Sequence, residues 1–276
     1  MSFQYERDRR RVARLTSRLQ EHDKCNMDVH WKRGQLRLGT SGYQYKHWRG
    51  LFYPKDLPQK AWFAHYAAHF DTVEINNTFY RLPQSATFDT WRARAPADFC
   101  YALKFSRYGS HLKRLKDPGE PIARFLDRAA RLEPFLGPIL VQLPPNWRLD
   151  TERLGGFLKH AADQHRWAFE FRDRRWLCAE VFDLLRDANA ALCIHDLIMD
   201  HPREITADWV YLRFYGASSG GNYTDQALQG EASRIRQYLD SRLDVFAYFN
   251  NDVGGHALHN ATDLRRYAQI DKSPDA

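Results

Sequence analysis

Cysteine is scarce and scattered in this sequence. The chain of 276 residues has four cysteines, Cys25, Cys100, Cys178 and Cys193, and no two of them form a Cys-x-x-Cys pair. This spacing supports neither a zinc knuckle nor a redox-active dithiol. It predicts packed, reduced thiols and therefore a cytoplasmic protein.

Long apolar segments are also missing. There is no uninterrupted run of eighteen apolar residues, and the first twenty residues lack the apolar stretch of a secretory signal. The sequence therefore predicts neither a membrane-spanning nor a secreted protein.

Positive charge is concentrated at the N-terminus. Residues 1–35 hold nine Lys and Arg against five Asp and Glu, whereas the remaining chain holds 32 against 29. Val12, Leu15 and Leu19 recur at near-helical spacing between arginines, which predicts a short basic amphipathic helix. Such an arm either packs its apolar edge on the main domain or contacts phosphates or a partner protein.

From Leu36 onward, short apolar runs alternate with amphipathic helical patterns. The eight runs, each a candidate strand, are 36–41, 72–79, 100–106, 139–144, 167–172, 191–196, 209–216 and 245–252. Repeated strand–helix units predict parallel strands, and eight units in this length match a single (β/α)8 TIM-type barrel over residues 36–276. A doubly wound open sheet is the alternative, since periodicity does not report closure.

Side chains alternate between the two faces of a strand, and every candidate strand carries polar residues on the face opposite to its apolar residues. The set is Arg37, Ser41, Glu74, Asn76, Thr78, Lys104, Ser106, Gln142, Glu170, Arg172, His195, Arg213, Tyr215, Asn250 and Asp252. In a barrel this parity faces the lumen, where each unpaired polar group costs roughly 1–3 kcal/mol. The set therefore forms either a structural network or, as we favour, the floor of a site at the C-terminal mouth.

Cations outnumber anions slightly in this set. That balance favours an anionic ligand such as a phosphate or carboxylate, because the basic side chains would compete with a metal for the carboxylates. Metal binding is the less favoured alternative, with ligands from His111, His195, Glu74, Glu170 and Asp252. The sequence firmly implies no particular cofactor.

Two segments after candidate strands have a distinctive composition. Residues 42–54 interleave aromatic and basic side chains, including Tyr43 and Trp48, and would either stack on a sugar or base or pack against the rim. Residues 216–224 are rich in glycine and serine and would form a phosphate-binding loop, a lid or a plain connection.

Seven motifs together resemble the YecE-like proteins, also called domain of unknown function 72. They are GTSGYQYKHWRGLFYP, FDTVEINNTFYRLP, LKFSRYGSHLKRL, VQLPPNW, FEFRDRRW, YLRFYG and YFNNDVGGHALHNATDL, in the order of the family between about Leu36 and Ala268. The resemblance implies a TIM-type barrel. It implies no established reaction, and likeness to sugar-phosphate barrels suggests nucleic-acid binding by fold analogy alone.

The resemblance also carries over motif positions. They are Glu74, Asn76, Thr78, Tyr80, Arg81, Lys104, His111, Gln142, Pro144, Glu170, Arg172, Trp176, Arg213, Asn250, Asn251 and Asp252. The sequence departs from the family pattern at Tyr43, where tryptophan is usual, and at Tyr215 and Asp173, where histidine is common. The missing histidine at Tyr215 weakens any role of strand seven in metal binding.

These observations predict an enzyme of hydrolase or lyase type that acts on a phosphorylated or anionic, sugar- or nucleotide-like substrate without a resident metal. The predicted catalytic residues are Glu74, Glu170, Lys104 and His111. The predicted substrate-binding residues are Tyr43, Trp48, Asn76, Tyr80, Arg81, Gln142, Arg172, Trp176, His195, Arg213, Tyr215, Asn250, Asn251 and Asp252. The alternatives are a nucleic-acid-binding barrel without catalysis and a barrel whose polar ring is only structural.

Overall fold

Eight parallel strands close into a barrel in the computed structural model, which describes residues 34–161, 165–216 and 221–268. The strands are β1 (Leu36–Thr40), β2 (Thr72–Ile75), β3 (Cys100–Lys104), β4 (Leu136–Gln142), β5 (Trp167–Glu170), β6 (Ala191–His195), β7 (Trp209–Phe214) and β8 (Asp244–Phe249). Pairing of β1 with β8, from Leu36 opposite Val245 to Thr40 opposite Phe249, closes the sheet. The predicted (β/α)8 barrel is confirmed, and the open sheet is excluded.

Helices lie between the strands. They are α1 (Trp62–Ala67), α2 (Asn77–Tyr80), α3 (Ser85–Arg94), α4 (Gly119–Ala129), α5 (Thr151–Ala161), α6 (Ala179–Asp187), α7 (Asp225–Asp240) and α8 (His256–Tyr267). Asp150 caps the N-terminus of α5, because its carboxylate accepts a hydrogen bond from the Arg153 N–H at 3.0 Å. In the described part of the chain, no helix has the length and apolarity needed to cross a membrane.

The predicted basic arm covers residues 1–35. Residues 1–33 lie outside the described chain, so the structure describes no more than the last two residues of the arm. The same holds for residues 217–220 of the glycine- and serine-rich segment. The proposed roles of both segments therefore stay predictions.

Side-chain alternation divides each strand between two environments. Val73 and Ile75 of β2 belong to the apolar core shared with the helices, whereas Glu74 between them contacts groups of β7 in the lumen. The same alternation on β7 places Val210 and Leu212 in the core and Tyr211 and Arg213 in the lumen. The polar parity predicted from sequence is thus the inner face of the barrel.

Strand β2 ends earlier than predicted. It stops at Ile75, Asn76 has helical backbone angles, and α2 follows at Asn77. Thr78 therefore does not lie on the strand. Its buried hydroxyl donates to the carbonyls of Ile75 at 3.1 Å and Lys104 at 2.7 Å, and this local bonding competes with strand continuation.

One connection differs from the repeating pattern. Residues 196–208, all of them described, join β6 to β7 without a helix. A cavity lies at this connection, lined by residues of β6, β7 and the connecting segment and by Tyr223 and Glu231.

Candidate functional site

A buried ion-pair cluster, Glu74–Arg213–Glu170, lies across the barrel lumen. The Arg213 guanidinium is 2.7 Å from Glu74 Oε1 and 2.5 Å from Glu170 Oε2. Both carboxylates are fully buried, and Arg213 is 1% exposed. Strands β2, β5 and β7 each contribute one member because the inner parity brings them to the same level of the lumen.

Glu170 is saturated with hydrogen-bond donors. Besides Arg213 it accepts from Gln142 Nε2 at 2.8 Å, from the Tyr215 hydroxyl at 3.0 Å and from Arg172 Nε. Burial opposes its ionisation, but the guanidinium groups of Arg213 and Arg172 hold the pKa of Glu170 well below its usual range. Glu170 is therefore a fixed carboxylate that orients two arginines.

Arg172 and Tyr215 extend this cluster toward solvent. Arg172 donates to the Tyr215 hydroxyl at 2.7 Å, and its guanidinium lies 4.8 Å from the centre of the Tyr215 ring. The Arg172 side chain is 24% exposed. It thus offers a positioned cationic edge at the C-terminal end of β5.

Lys104 is a nearly buried cation without an ion pair in the part of the chain that the structure describes. It is 8% exposed, and within residues 34–161, 165–216 and 221–268 no carboxylate lies within 4.0 Å of its ammonium group. Its contact is with the Phe79 ring, whose centre lies 4.4 Å from Nζ. Burial, and next the nearby Arg213, lowers the pKa of Lys104 to about 8.

His111 lies in a short helical turn, Tyr108–Leu112, beyond β3. Its Nδ1 is 3.0 Å from the Ser110 hydroxyl, and its ring packs edge-on against Phe79 at 4.9 Å. Burial, together with the Lys104 charge, lowers the pKa of His111 to about 4. The imidazole is therefore neutral near neutral pH.

His195 is held by backbone groups. Its Nε2 lies 2.9 Å from the Phe171 carbonyl, to which only a protonated nitrogen can donate. Its Nδ1 accepts the Leu197 N–H at 3.2 Å. Both ring nitrogens are thus hydrogen-bonded, and burial lowers the pKa of His195. The ring is therefore neutral, with its proton on Nε2.

The ends of β1 and β2 add uncharged groups. Asn76 Nδ2 donates to the Ser41 carbonyl at 3.3 Å, while Asn76 Oδ1 and Ser41 Oγ are buried without a hydrogen-bond partner among the described residues. Both atoms are enclosed by the protein, so they are unsatisfied groups of the interior and not exposed ligand contacts.

Strand β8 supplies fewer free groups. Asn251 is buried and donates to the Gly221 carbonyl at 3.0 Å and to Asn260 at 2.9 Å, so it anchors the neighbouring segments. The Asp252 carboxylate is 3.5 Å from His47 Nε2. Asn250 is half-buried, and its N–H donates to the Phe214 carbonyl at 2.7 Å.

Several predicted binding residues do not join this cluster. Tyr43, Trp48 and Trp176 are 6%, 0% and 1% exposed and belong to the apolar core. For Tyr43 and Trp48, of the aromatic segment 42–54, this burial agrees with packing against the barrel and not with stacking on a ligand. Tyr80, the last residue of α2, and Arg81, which follows it, are exposed.

Arg37 has the predicted inner parity but lies at the opposite end of the barrel. It donates to the carbonyl of Asp98, in the segment that precedes β3. Counting Arg37 among the cations of the mouth was therefore wrong, since parity specifies the face of a strand and not the depth along it.

Sequence reasoning missed two residues of the cluster. The Tyr211 hydroxyl donates to Glu74 Oε2 at 2.6 Å, and Phe79 supports the Lys104 ammonium. Tyr211 shares the parity of Arg213, two residues later, so the alternation rule could have found it. No local pattern distinguishes Phe79 from any other core aromatic.

A metal centre is not assembled by the residues that the structure describes, since they include no group of three His, Cys, Asp or Glu side chains placed to hold an ion. The carboxylates of Glu74 and Glu170 are already neutralised by arginine. The arrangement is that of a polar, cation-bearing mouth.

The closed parallel sheet and its polar C-terminal mouth define a TIM-type barrel protein. The chain belongs to the family described as "Protein of unknown function DUF72", which matches residues 37–275. It is 24% identical over 260 residues to UPF0759 protein YunF of Bacillus subtilis, covering 81% of this chain and 92% of that protein. It is also 37% identical over 79 residues to UPF0759 protein YecE of Escherichia coli K12, covering 29% of each chain.

Solved structures of the family have the same fold. A DUF72 family protein from Thermotoga maritima superposes with a TM-score of 0.75 at 25% identity, covering 84% of this chain and 98% of that one. One from Enterococcus faecalis gives a TM-score of 0.72 at 20% identity, with coverage of 87% and 97%. The resemblance predicted from the seven motifs is confirmed.

Proposed function

We propose that the protein is an enzyme that binds a small phosphorylated or carboxylated, sugar-like substrate at the C-terminal mouth of its barrel. The observation that carries this proposal is the nearly buried Lys104 ammonium, which has an aromatic neighbour but no ion-pair partner among the described residues. A buried charge without a counterion is costly, and a bound anion would relieve that cost.

Arg172 complements Lys104 as the second anion-binding group. Its guanidinium is oriented by Glu170 and Tyr215, so little side-chain entropy is lost when it binds an anion. Gln142 and Asn76 would orient the substrate beside Arg172.

Lys104 and His111 are the groups best suited to react. An amine with a pKa of about 8 exists in both protonation states near neutral pH, so it can donate or accept a proton or attack a carbonyl carbon. Proton transfer or imine formation of this kind suits a hydrolase or a lyase. The neutral His111 ring can act as the partner base.

Glu74 and Glu170 receive a different role from the acid–base function expected from sequence. Both are fully buried, and each has both oxygens bonded, so neither reaches a substrate. In this proposal they are positioning residues that hold Arg213 and Arg172.

The proposal is tested by calorimetric titration with sulfate and with ribose 5-phosphate. We expect Arg172→Met to weaken both interactions at least tenfold, about 1.4 kcal/mol, because the cationic edge is lost while Glu170 keeps Arg213 as its partner. Lys116→Met, which removes an exposed cation from the same rim, is the matched control and should bind like the wild type.

Turnover is then followed by mass spectrometry of phosphorylated sugars incubated with the protein. Equal sulfate binding by the wild type and Arg172→Met would contradict the proposed site. Binding without conversion of any phosphorylated compound would retain the site and remove the enzymatic function.

A second candidate function is binding of single-stranded nucleic acid, favoured by the charge of the rim. The segments after β1 to β5 (41–61, 76–84, 105–118, 143–150 and 171–178) hold thirteen Lys and Arg against four Asp and Glu. The segments after β6 to β8 (196–208, 215–224 and 250–255) hold one against five. One half of the rim is thus strongly basic, and the exposed Tyr80 and Tyr108 on that half could stack on bases.

This candidate predicts binding that weakens steeply with salt. With about three phosphate contacts, the slope of log K against log salt concentration should be about −2 for a single-stranded oligonucleotide. Fluorescence anisotropy with the triple variant Lys46→Gln/Arg107→Gln/Arg174→Gln should show weaker binding and a shallower slope. Substituting Arg131 and Arg186, which lie at the helix ends away from the mouth, is the control, and a salt-independent affinity would exclude this function.

A further inference from the structure

The Lys104 side chain is largely enclosed, but its amine is accessible. Lys104 is the last residue of β3, and 8% of its surface is exposed. Its Nζ makes no hydrogen bond to any residue that the structure describes, and it is not one of the enclosed unpaired atoms of that part of the chain, so a ligand can reach it. The Phe79 ring, whose centre lies 4.4 Å from Nζ, has no oxygen or nitrogen to occupy the amine. The lone pair of the neutral amine is therefore free to react.

The charges around Lys104 favour the neutral amine. Burial is the largest cause, and Arg213 is the next, so the pKa of Lys104 falls to about 8; Arg172 is a further cation nearby. Glu170 and Glu74 act in the opposite sense, but both are paired with Arg213, at 2.5 and 2.7 Å. A larger share of this amine is thus neutral near neutral pH than for a solvated lysine, and only the neutral form attacks a carbonyl carbon.

His111 has a fixed proton and an unused basic nitrogen. The Ser110 hydroxyl donates to the Ser106 carbonyl at 2.8 Å, so the Ser110 oxygen accepts from His111 Nδ1 at 3.0 Å. The proton is therefore on Nδ1, and the lone pair is on Nε2. This nitrogen has no hydrogen-bond partner within residues 34–161, 165–216 and 221–268, and it is not enclosed.

Lys104 and His111 are neighbours. Both contact the same Phe79 ring, with Nζ at 4.4 Å from its centre and the imidazole edge-on at 4.9 Å. Burial, and next the Lys104 charge, lowers the pKa of His111. The mouth thus holds an amine and a neutral base close together, beside the cationic edge of Arg172.

We propose that the substrate is the open-chain form of a sugar phosphate, an aldehyde or ketone, and that Lys104 forms a covalent imine with its carbonyl carbon. Arg172 binds the phosphate, and His111 Nε2 removes a proton from the carbon next to the imine. This assignment rests on the function proposed for the mouth, and it selects a carbonyl compound among the anionic substrates.

The covalent step begins with the neutral amine. Its lone pair forms the N–C bond as the C=O π bond opens, and a proton passes from nitrogen to oxygen to give a carbinolamine. Loss of the hydroxyl group, with one proton from solvent, releases water and leaves a protonated imine. The positive charge acidifies the adjacent C–H bond, so His111 Nε2 takes the proton and the bonding electron pair forms an enamine. Return of the proton to carbon and addition of water restore Lys104 and the carbonyl compound.

Reductive trapping tests the imine. The full chain is incubated with dihydroxyacetone phosphate and sodium cyanoborohydride, which delivers hydride to the imine carbon and makes the N–C bond permanent. Mass mapping of the peptides should place the adduct on Lys104. Lys113, which is half-buried over the Tyr108 ring at 5.7 Å, is the internal control. The yield on Lys104 should be at least about tenfold higher, because its amine is more often neutral than that of a solvated lysine.

Glycerol 3-phosphate is the matched ligand. It keeps the phosphate and the carbon chain of dihydroxyacetone phosphate but has no carbonyl group. It should form no adduct and, added as a competitor, it should lower the yield of adduct on Lys104.

The role of His111 is tested with His111→Asn, which retains an N–H donor for Ser110 but lacks the basic nitrogen. This variant should keep the adduct on Lys104. It should slow the exchange of carbon-bound hydrogen of dihydroxyacetone phosphate in D2O, followed by NMR, by at least about 100-fold. Lys113→Met is the control variant and should match the wild type in both measurements.

Absence of a Lys104 adduct with both dihydroxyacetone phosphate and ribose 5-phosphate would overturn the imine. If sulfate still binds and Arg172→Met weakens that binding, the anion-binding mouth stands and the imine alone is refuted. If sulfate binding is absent as well, both are refuted. Equal adduct yields on Lys104 and Lys113 would reduce the reaction to unselective amine chemistry, and undiminished exchange in His111→Asn would refute the role of His111.

Discussion

Arg213→Met should be the most destabilising single substitution in the lumen, lowering the free energy of unfolding by about 3–5 kcal/mol. The arginine neutralises two fully buried carboxylates, but they depend on it unequally. Among the described residues, Glu170 would keep Arg172, Gln142 and Tyr215, whereas Glu74 would keep the Tyr211 hydroxyl alone. The loss comes mainly from leaving Glu74 as an uncompensated buried charge.

A double-mutant cycle checks this reasoning by chemical denaturation. Arg213→Met/Glu74→Gln should be more stable than Arg213→Met alone, because the second substitution removes the orphaned charge. Arg131 provides the matched control, since it makes two hydrogen bonds to the Asp89 carboxylate, of 2.8 and 2.7 Å, on an exposed surface. Arg131→Met should change stability far less. Additive effects of Arg213 and Glu74 would show that the ion pair is not the source of the loss.

Lys104→Met should have the opposite effect on stability and should abolish anion binding. Folding lowers the pKa of Lys104 from 10.5 to about 8, so the folded state disfavours the ammonium form. At 1.36 kcal/mol per pKa unit, replacing this lysine with an apolar side chain of similar length should stabilise the protein by up to roughly 3 kcal/mol near neutral pH. Such a gain, coupled to loss of binding, is typical of a residue retained for function.

The dependence on pH follows from the direction of this shift. Below a pH of about 8 both the folded and the unfolded chain bind the proton, and the destabilisation by Lys104 is complete. As the pH rises from about 8 toward 10.5 the unfolded state alone keeps the proton, so wild-type stability should approach that of Lys104→Met. Thermal unfolding of both proteins across this range measures the convergence.

Sulfate binding should follow the same titration. Sulfate keeps its charge across this range, so weaker wild-type binding above a pH of about 8 would report the loss of the Lys104 proton. A Lys104→Met protein that is less stable than the wild type, or that binds sulfate equally well, would refute the assignment of Lys104.

The sequence predicted much of the barrel, because strand alternation is a local property. The order Val73, Glu74, Ile75 places the glutamate opposite the helices in any sheet covered by helices, and the structure has it there. The predicted secondary structure was wrong where the local sequence is compatible with both a strand and a helix. Thr78 suits a strand by its branching, yet its hydroxyl bonds to nearby carbonyls and lies on a short helix.

Local sequence also did not distinguish aromatic residues that pack in the core from those that could bind a ligand. Trp48 and Trp176 stand beside basic side chains in sequence, as binding residues often do, yet both are buried in the core. Their neighbours in space, such as Trp147 beside Trp176 at 5.0 Å, come from other segments. Whether an aromatic side chain packs or binds is decided by those neighbours.

By itself, the sequence determined the eight-fold repetition, the inner and outer faces of the strands and the family, since all of these are encoded in periodicity and ordered motifs. Only the tertiary structure decided which polar groups are paired. Glu170 is saturated by residues 28 to 45 positions away or at the end of its own strand. Lys104 instead contacts an aromatic ring and has no carboxylate partner among the described residues. The physical reason is that a pKa and a hydrogen-bond inventory depend on distances in space, and barrel closure brings together strands that are remote along the chain.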